Sequence, residues 1–356
     1  MRRLILAWPA TAIAATLGMA GALQAQTAPP APPPAVSTAA QSKLAPDASS
    51  PADHGSFGGK AAHTGLTKEA LALAREEARV AATQNYAIHP AIWKIGDADT
   101  TIYIFGTIHS LPPGFRWRNS VLESAIDKSD ALIVETTAAD DDDITFLEGL
   151  SGDAKLPPLI DRVTHRSRAK LAALQARMTD EGVVALDKLP SWVAALDISD
   201  IRQELAGDIS SEGADDWLET HFRAANKKVE AIEDGKSVIA SINAVPERAQ
   251  RLMLEDALLA PDPTHEELDA SAHAWAQGNV GPGSPLLIEE GDLDPSGALN
   301  DPMLARRNAA WVTKLATMIR ERPGTIFFAA GAGHFMGKGS VLDLLRKRGV
   351  RVERVQ

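Results

Sequence analysis

The strongest constraint on the fold is a strand, helix, strand run with short joints. "TTIYIFG" is an apolar strand of β-branched and aromatic residues, "NSVLESAIDKSD" carries helical spacing, and "ALIVET" is again a short apolar strand ending at Glu135. Two strands joined through a helix run parallel, with a right-handed crossover. Upstream, "AIWKIGDADTTIYIFG" alternates apolar and polar residues around Gly-Asp-Ala-Asp, which predicts a β-hairpin. In the helix, Val121, Leu122, Ala125 and Ile126 are expected on one face, with Ser120 and Glu123 forming a capping box. Near the other end of the chain, "TIFFAAG" is a strand. Ser340 caps the helix "VLDLLRKR", Gly349 stops it, and "VRVERV" is expected as an edge strand.

Between these β-rich ends, from about 140 to 300, the chain is mostly helical. "HRSRAKLAALQARM", "PSWVAALDISDIRQEL", "ADDWLETHFRAANKK" and "PERAQRLMLEDALL" all have helical spacing, and only "KVEAIED" suggests a strand. "DPMLARRNAAWVTKLATMIRERPG" is a long helix leading into the last strand. The expected class is α/β: a mixed β-sheet with parallel βαβ units and a large helical insertion, in one domain over 88–356.

The segment before it reads differently. Residues 1–25, with Arg2, Arg3 and an apolar run from Leu4 to Met19, are expected to be a secretory signal peptide cut near Ala22 or Ala25. Residues 26–65 form an Ala/Pro-rich linker that cannot bury enough surface to offset its ordering entropy. Residues 66–87 form a helical segment with Thr67 as N-cap, whose apolar positions are mostly alanine and predict weak packing. A soluble exported chain, periplasmic or secreted, with no transmembrane span in its mature form, is the expectation. Cysteine is absent from the 356 residues, so disulfides, thiolate metal sites and cysteine nucleophiles are excluded. The net charge of −11 would fall to about −13 on loss of the two leader arginines, and no basic stripe relieves it. Nucleic acid is not an expected partner. A peptide or other small polar substrate is compatible with this charge, and the oligomeric state is open.

Ligands in open α/β sheets collect at the carboxyl ends of parallel strands. Three polar residues follow three strands in that position: His109 after "IYIFGT", Glu135 after "ALIV" and His334 after "FFAAGAG". Both histidines stand in a Gly-x-x-His context, with Gly106 before one and Gly331 and Gly333 before the other. These glycines permit sharp turns or close approach to a ligand. Two imidazoles and a carboxylate form an open set for a divalent metal, with room for a water that the metal acidifies. Taken singly, each residue is as readily explained by loop hydrogen bonds or an arginine partner. The repetition of the pattern is what raises the pair above that explanation.

Other candidates carry less. Arg306 or Arg307, with Asn308, can point from the long helix toward the site. Glu233, after "KVEAI", repeats the strand-end carboxylate and is expected behind the first ring of residues. Asp215 and His221 are six apart on one helix, which separates their faces, and His221 is not assigned as a ligand. Asp140 to Asp143 lack the spacing of a calcium loop. "HEELD" at His265 lacks a second histidine and reads as a helix start. "AGHFMGKG" has Ala332 in place of the first phosphate-loop glycine and Gly339 in place of the Ser/Thr, and no Gly-x-Ser-x-Gly elbow occurs.

At these residues the chain resembles the TraB/GumN (TraB/PrgY/GumN) family, which includes the animal TIKI proteins. The likeness runs from "AIWKIGDADTTIYIFGTIHSLPPGFRW" to "GAGHFMGKGSVLDLLRKRGVRVERV", taking in both Gly-x-x-His motifs, the glutamate of "ALIVET" and the arginine-asparagine of "LARRNAAW"; the centre matches more loosely. The resemblance implies a fold shared with erythromycin-esterase-like and ChaN-like proteins. It also implies a metal-dependent hydrolase site and, for TIKI-like members, divalent-metal-dependent proteolysis. The matching positions are His109, Glu135 and His334, supported by Arg307 and Asn308. Manganese, cobalt or zinc suit these ligand types, and Glu135 stands as third ligand or general base. The alternative from another class is a periplasmic protein that binds peptide, haem or metal without catalysis. A degenerate scaffold is a third reading.

Overall fold

The computed structural model describes residues 67–137, 156–287 and 295–356. The signal peptide and linker expected before residue 66, and the aspartate run from 140 to 143, lie outside them. The helices are α1 (Lys68–Thr83), α2 (Ser120–Lys128), α3 (Leu159–Arg162), α4 (His165–Gln175), α5 (Asp180–Lys188), α6 (Ser191–Leu205), α7 (Ala214–Ala224), α8 (Gly235–Asn243), α9 (Glu247–Leu259), α10 (His265–Ala276), α11 (Arg306–Glu321) and α12 (Val341–Lys347). The strands are β1 (Ile92–Gly96), β2 (Thr100–Thr107), β3 (Ser110–Leu111), β4 (Ala131–Val134), β5 (Ser211–Glu212), β6 (Lys228–Ala231), β7 (Gly324–Gly331) and β8 (Glu353–Arg354). The fold is mixed α/β with a mostly parallel central sheet and many helices. No helix among the described residues is long and apolar enough to cross a membrane.

The main sheet has the order β6-β4-β7-β2-β1-β8. The hairpin β1–β2 is antiparallel as expected, and β8 is the edge strand beside β1. β2 and β4 share the parallel direction, but they are not neighbours: β7 enters between them, parallel to both. β6 adds a fourth parallel strand on the far side of β4. The last long strand thus fills a gap left by a crossover made two hundred residues earlier. The carboxyl ends of β6, β4, β7 and β2 consequently lie side by side.

The alternation along these strands supplies two core layers. Phe105, Leu132, Phe327 and Ala329 pack with α2, α7 and α10 on one face. Ile102, Ile104, Ile133, Ile326 and Phe328 pack with α11 and α12 on the other. Covering both faces is what allows β7 to be apolar throughout. A third cluster, built around Trp192, Leu196, Ile242 and Leu254, joins α3 through α6 with α8, α9 and Met303, whereas α7, β6 and α10 from the same stretch of chain belong to the main sheet and its cover.

Three local expectations change. The cap of α2 is Asn119, whose Oδ1 accepts from Leu122 N at 3.0 Å, not Ser120. Asn119 Nδ2 also donates to Ile88 O and Gln356 Oε1, so tertiary partners select it over the capping box one residue on. Val121 is exposed, leaving Leu122, Ala125 and Ile126 as the buried face. α1 has its expected Thr67 cap and a largely exposed alanine-rich surface. It is nevertheless anchored: Val80 joins the sheet core, and Arg79 pairs with the buried Asp269 of α10. "HEELD" is the start of α10, closed by a capping box between Thr264 and Glu267.

Candidate functional site

His109 follows β2 by two residues and is held by the start of α7. Ala214 N donates to Ile108 O at 2.9 Å, and Asp215 Oδ2 accepts from His109 Nδ1 at 2.7 Å. Gly213 makes this approach possible: a Cβ there would lie 2.2 Å from His109 O. Burial opposes an imidazolium at His109, but the Asp215 carboxylate outweighs it and raises the group to about 9.

His334 lies in the turn after β7 and is 2% exposed. Its Nδ1 is 2.6 Å from Asn308 Oδ1. Asn308 Nδ2 donates to Gly339 O at 3.1 Å, which fixes Oδ1 as the acceptor. His334 Nδ1 is therefore the donor, and Nε2 carries the lone pair. Burial first, and then the nearby Arg307 charge, push His334 down to about 3, so it is a neutral base at ordinary pH. Its ring packs on Trp311 at a centroid separation of 4.3 Å.

Glu135 directly follows β4. Oε1 accepts from Gly331 N at 2.6 Å, and Oε2 pairs with Arg307 Nη2. Burial acts most strongly and against its charge, yet the Arg307 guanidinium together with His334, His109 and the Gly331 N–H outweighs it and brings the carboxyl down to about 2. Arg307 Nε also donates to Glu233 Oε1 at 2.8 Å, and Trp311 Nε1 donates to Glu233 Oε2 at 2.7 Å. Glu233 stands beside Glu135 because strand pairing continues past β4 and β6, with Glu233 N donating to Glu135 O at 3.1 Å. Burial dominates at Glu233 and raises its pKa. Arg306 points away, pairing with Asp301 at the surface. Arg307 Nη1 donates to Met303 O in a π turn, Asp301–Ala305, that precedes α11. Such turns widen a helix by one residue per turn and are frequent at functional sites.

The three strand-end residues converge on Gly331. A Cβ built there would lie 3.3 Å from Glu135 Oε1, 3.5 Å from His109 Nε2 and 3.9 Å from His334 Cδ2. Gly331 thus keeps the meeting point open. Gly106 serves packing instead: its Cβ would lie 2.9 Å from the Ala332 backbone, and its carbonyl accepts from Trp275 Nε1. Gly333 is part of the 3-10 turn that carries His334.

For a divalent metal, the donor chemistry fits. Both imidazoles have Nδ1 engaged, the arrangement in which outer partners orient metal-binding histidines; His334 offers its Nε2 lone pair directly, whereas His109, held protonated by Asp215, would give up its Nε2 proton to an incoming ion. Thr107 Oγ1 and Asp215 Oδ1 are buried there without hydrogen-bond partners among the described residues. The shell is not closed: His334 Nε2 and Glu135 Oε1 are 4.0 Å apart, whereas two donors on one tetrahedral ion sit roughly 3.0–3.5 Å apart. Among the described residues no group of three or more His, Asp or Glu stands in ligating geometry.

A cavity of about 580 Å³ opens over these strand ends, with His109, Glu135, Asp215 and Arg307 in its wall. Asp215 was missed in the sequence because its helical spacing to His221 drew attention to the wrong pair. His221 in fact stacks on Trp217 at 4.7 Å. The available signal was Gly213 immediately before the acidic first turn "ADD".

The TraB/PrgY/gumN family model matches residues 91–354. Local similarity extends to metalloprotease TIKI1 of Danio rerio, 42% identical over 52 residues, which are 14% of this chain and 10% of the relative. TIKI2 of Danio rerio is 39% identical over 56 residues, and TIKI1 of Homo sapiens is 41% identical over 56 residues; each match covers 15% of this chain and 11% of the relative. The chain therefore spans about a tenth of the length of these curated relatives. No solved structure matches. With its fold, strand-end residues and match over most of its length, the chain belongs to the TraB/PrgY/gumN family.

Proposed function

We propose that this protein is an exported metal-dependent hydrolase acting on peptides, with His109, His334 and Glu135 as the groups that hold the ion. The observation that carries this reading is the convergence on Gly331 of His109 Nε2, the Cδ2 edge of His334 and the Glu135 carboxylate, with His334 Nε2 4.0 Å from Glu135 Oε1 and each group held from behind by α7 or α11. The metalloprotease names of the TIKI relatives support the reaction class. The finer fold assignment, to the erythromycin-esterase-like and ChaN-like group, belongs to the same proposal, as does export through residues 1–25.

When bound, manganese, cobalt or zinc would acidify a water and polarise a carbonyl oxygen. The protein's own groups prepare that chemistry. His334 is held neutral with its lone pair on Nε2, as a ligand requires. Asp215 fixes the orientation of His109 and compensates positive charge behind it. Glu135 is kept ionised by Arg307 with both oxygens already accepting, which suits an anionic ligand better than a general base. The test is elemental analysis of the purified protein beside His109→Ala, Glu135→Ala and His334→Ala variants of verified fold, followed by a peptide-hydrolysis assay. Near-stoichiometric metal lost in all three variants supports the assignment; a folded parent that binds no supplied divalent ion sinks it.

One observation favours a second reading. Glu135 already has Gly331 N and Arg307 as protein partners, so that carboxylate is satisfied without an ion. A protein that binds peptide, haem or metal without catalysis would use the same cavity, and haem would reveal itself by its visible absorption band.

A further inference from the structure

The part of the cavity wall supplied by α6, α8 and the π turn is largely apolar. Trp192 and Leu196 come from α6, Val238, Ile239 and Ile242 from α8, and Met303 from the π turn. Trp192 is fully buried and its Nε1 donates to Asn243 Oδ1 at 3.2 Å, so this wall is fixed by the packing of the helical insertion. Val238 and Ile239 line the cavity and are only half-buried, so their side chains keep surface that a ligand can cover. Apolar side chains that line a space of this size forgo contacts that a ligand would restore, and the volume falls within the range of small-molecule sites.

The side formed by α7 and β5 has the opposite chemistry. Glu212, Asp216 and Glu219 face the cavity beside Asp215. The two arginines in the described lining are already committed: Arg223 to Glu219 at 2.7 Å, and Arg307 to Glu135 and Glu233. An incoming carboxylate would meet like charge and no available guanidinium.

We infer that the cavity selects a peptide segment that places a bulky aliphatic or aromatic side chain against Leu196, Val238 and Ile239, backed by the buried Trp192 and Met303, and excludes acidic side chains at that position. The specificity thus resides in the helical insertion, while the strand ends supply the chemistry. The inference rests on the hydrolase reading for the peptide nature of the ligand and for the bond that is cut; the side-chain preference is a property of binding and is measured separately.

The probes are acetylated and amidated pentaglycines whose central residue is replaced by leucine, phenylalanine or aspartate, with pentaglycine itself as reference. Calorimetric titration into the purified protein without added metal is expected to give at least tenfold tighter binding of the leucine and phenylalanine peptides than of the reference, and weaker binding of the aspartate peptide. Tenfold is the low end of what burying one such side chain contributes. The Ile239→Asp variant, checked by circular dichroism and thermal melting, is expected to lose that preference. Equal affinities across the series, or no measurable binding of the leucine and phenylalanine peptides at millimolar concentration, overturn the inference. Hydrolysis of the same peptides by metal-supplied protein is read independently. Selective binding without cleavage would refute the hydrolase reading and leave the inference standing, whereas cleavage without selectivity would do the reverse.

Discussion

Replacing Arg307 with methionine keeps most of the side-chain volume and removes the charge between Glu135 and Glu233. The two carboxylates have side-chain exposures of 16% and 10%, so neither can recover its solvation in water. Breaking a buried pair by removing one partner costs about 3–5 kcal/mol, because the other charge is left uncompensated. The lower end, about 3 kcal/mol at pH 7, is expected here, since Glu135 retains the Gly331 N–H and Glu233 retains Trp311 Nε1. The pH dependence follows from Glu135, whose pKa falls from 4.5 to about 2 in the folded protein. A depressed carboxyl contributes stability that is present above pH 4.5 and lost as the pH falls toward 2. Arg307→Met removes the largest favourable part of that contribution, so the gap between parent and variant should narrow at pH 4. Combining the substitution with Glu233→Gln should recover about 1–2 kcal/mol, by removing one stranded charge. Urea unfolding of the three proteins at pH 7 and pH 4 measures all of this. A single-variant cost below about 1 kcal/mol at pH 7, or no recovery in the double variant, would refute the argument.

Three other substitutions separate the roles of neighbouring groups. Asp215→Asn removes the charge behind His109 while preserving the side chain's shape, and should lower metal affinity by about 10–100-fold with little loss of fold, as read by metal titration. Gly331→Ala places a methyl at the convergence point, where the nearest groups are side-chain atoms 3.3–3.9 Å away; it should abolish metal binding yet leave the melting temperature near the parent's. Gly106→Ala meets the Ala332 backbone at 2.9 Å instead, and its main effect should be a lowered melting temperature. Asp200, far from these residues in sequence on α6, is raised to about 7 by burial, with Asp197 adding to the effect, and its Oδ2 lacks a partner among the described residues. A raised carboxyl contributes stability below pH 3.8 that is lost as the pH rises through 7, so Asp200→Asn should stabilise the protein by about 1–2 kcal/mol at pH 8 and by less at pH 4, in urea unfolding at the two pH values.

What the sequence made legible is what local patterning determines. Apolar runs bounded by turns located the strands, 3.6-residue spacing located the insertion helices, and polar residues after apolar runs singled out His109, Glu135 and His334. Strand order was not legible, because the entry of β7 between β2 and β4 depends on contacts two hundred residues apart in the chain. The same limit hid Asp215: its partner lies 106 residues away, and nothing in the spacing of α7 marks one first-turn aspartate over the other. Asn119 took the cap expected of Ser120 for a related reason, since its amide is bound by the two ends of the domain at Ile88 and Gln356. Arg306 and Arg307 are adjacent in sequence but differ in environment by the rotation of one helical residue, which only the placement of α11 resolves.

That placement has a consequence for how the site holds its shape. Each group facing Gly331 is fixed through an atom on its far side, and the fixing residues come from two helices: Asp215 from α7, Asn308 and Arg307 from α11. Preorganisation of this kind requires the outer residues to be anchored as well, and Arg307 is, through Glu233 at the end of β6 and Met303 O in the π turn. The helical insertion meets the sheet at that same turn, because Met303 also lines the apolar wall of the cavity. A substrate side chain pressing on Met303 would therefore bear on the segment that positions Arg307, and through it on Glu135. Selection at the apolar wall and geometry at the strand ends are linked by one helical turn, so substitutions at Met303 should alter both peptide preference and metal affinity, whereas Ile239 substitutions should alter preference alone.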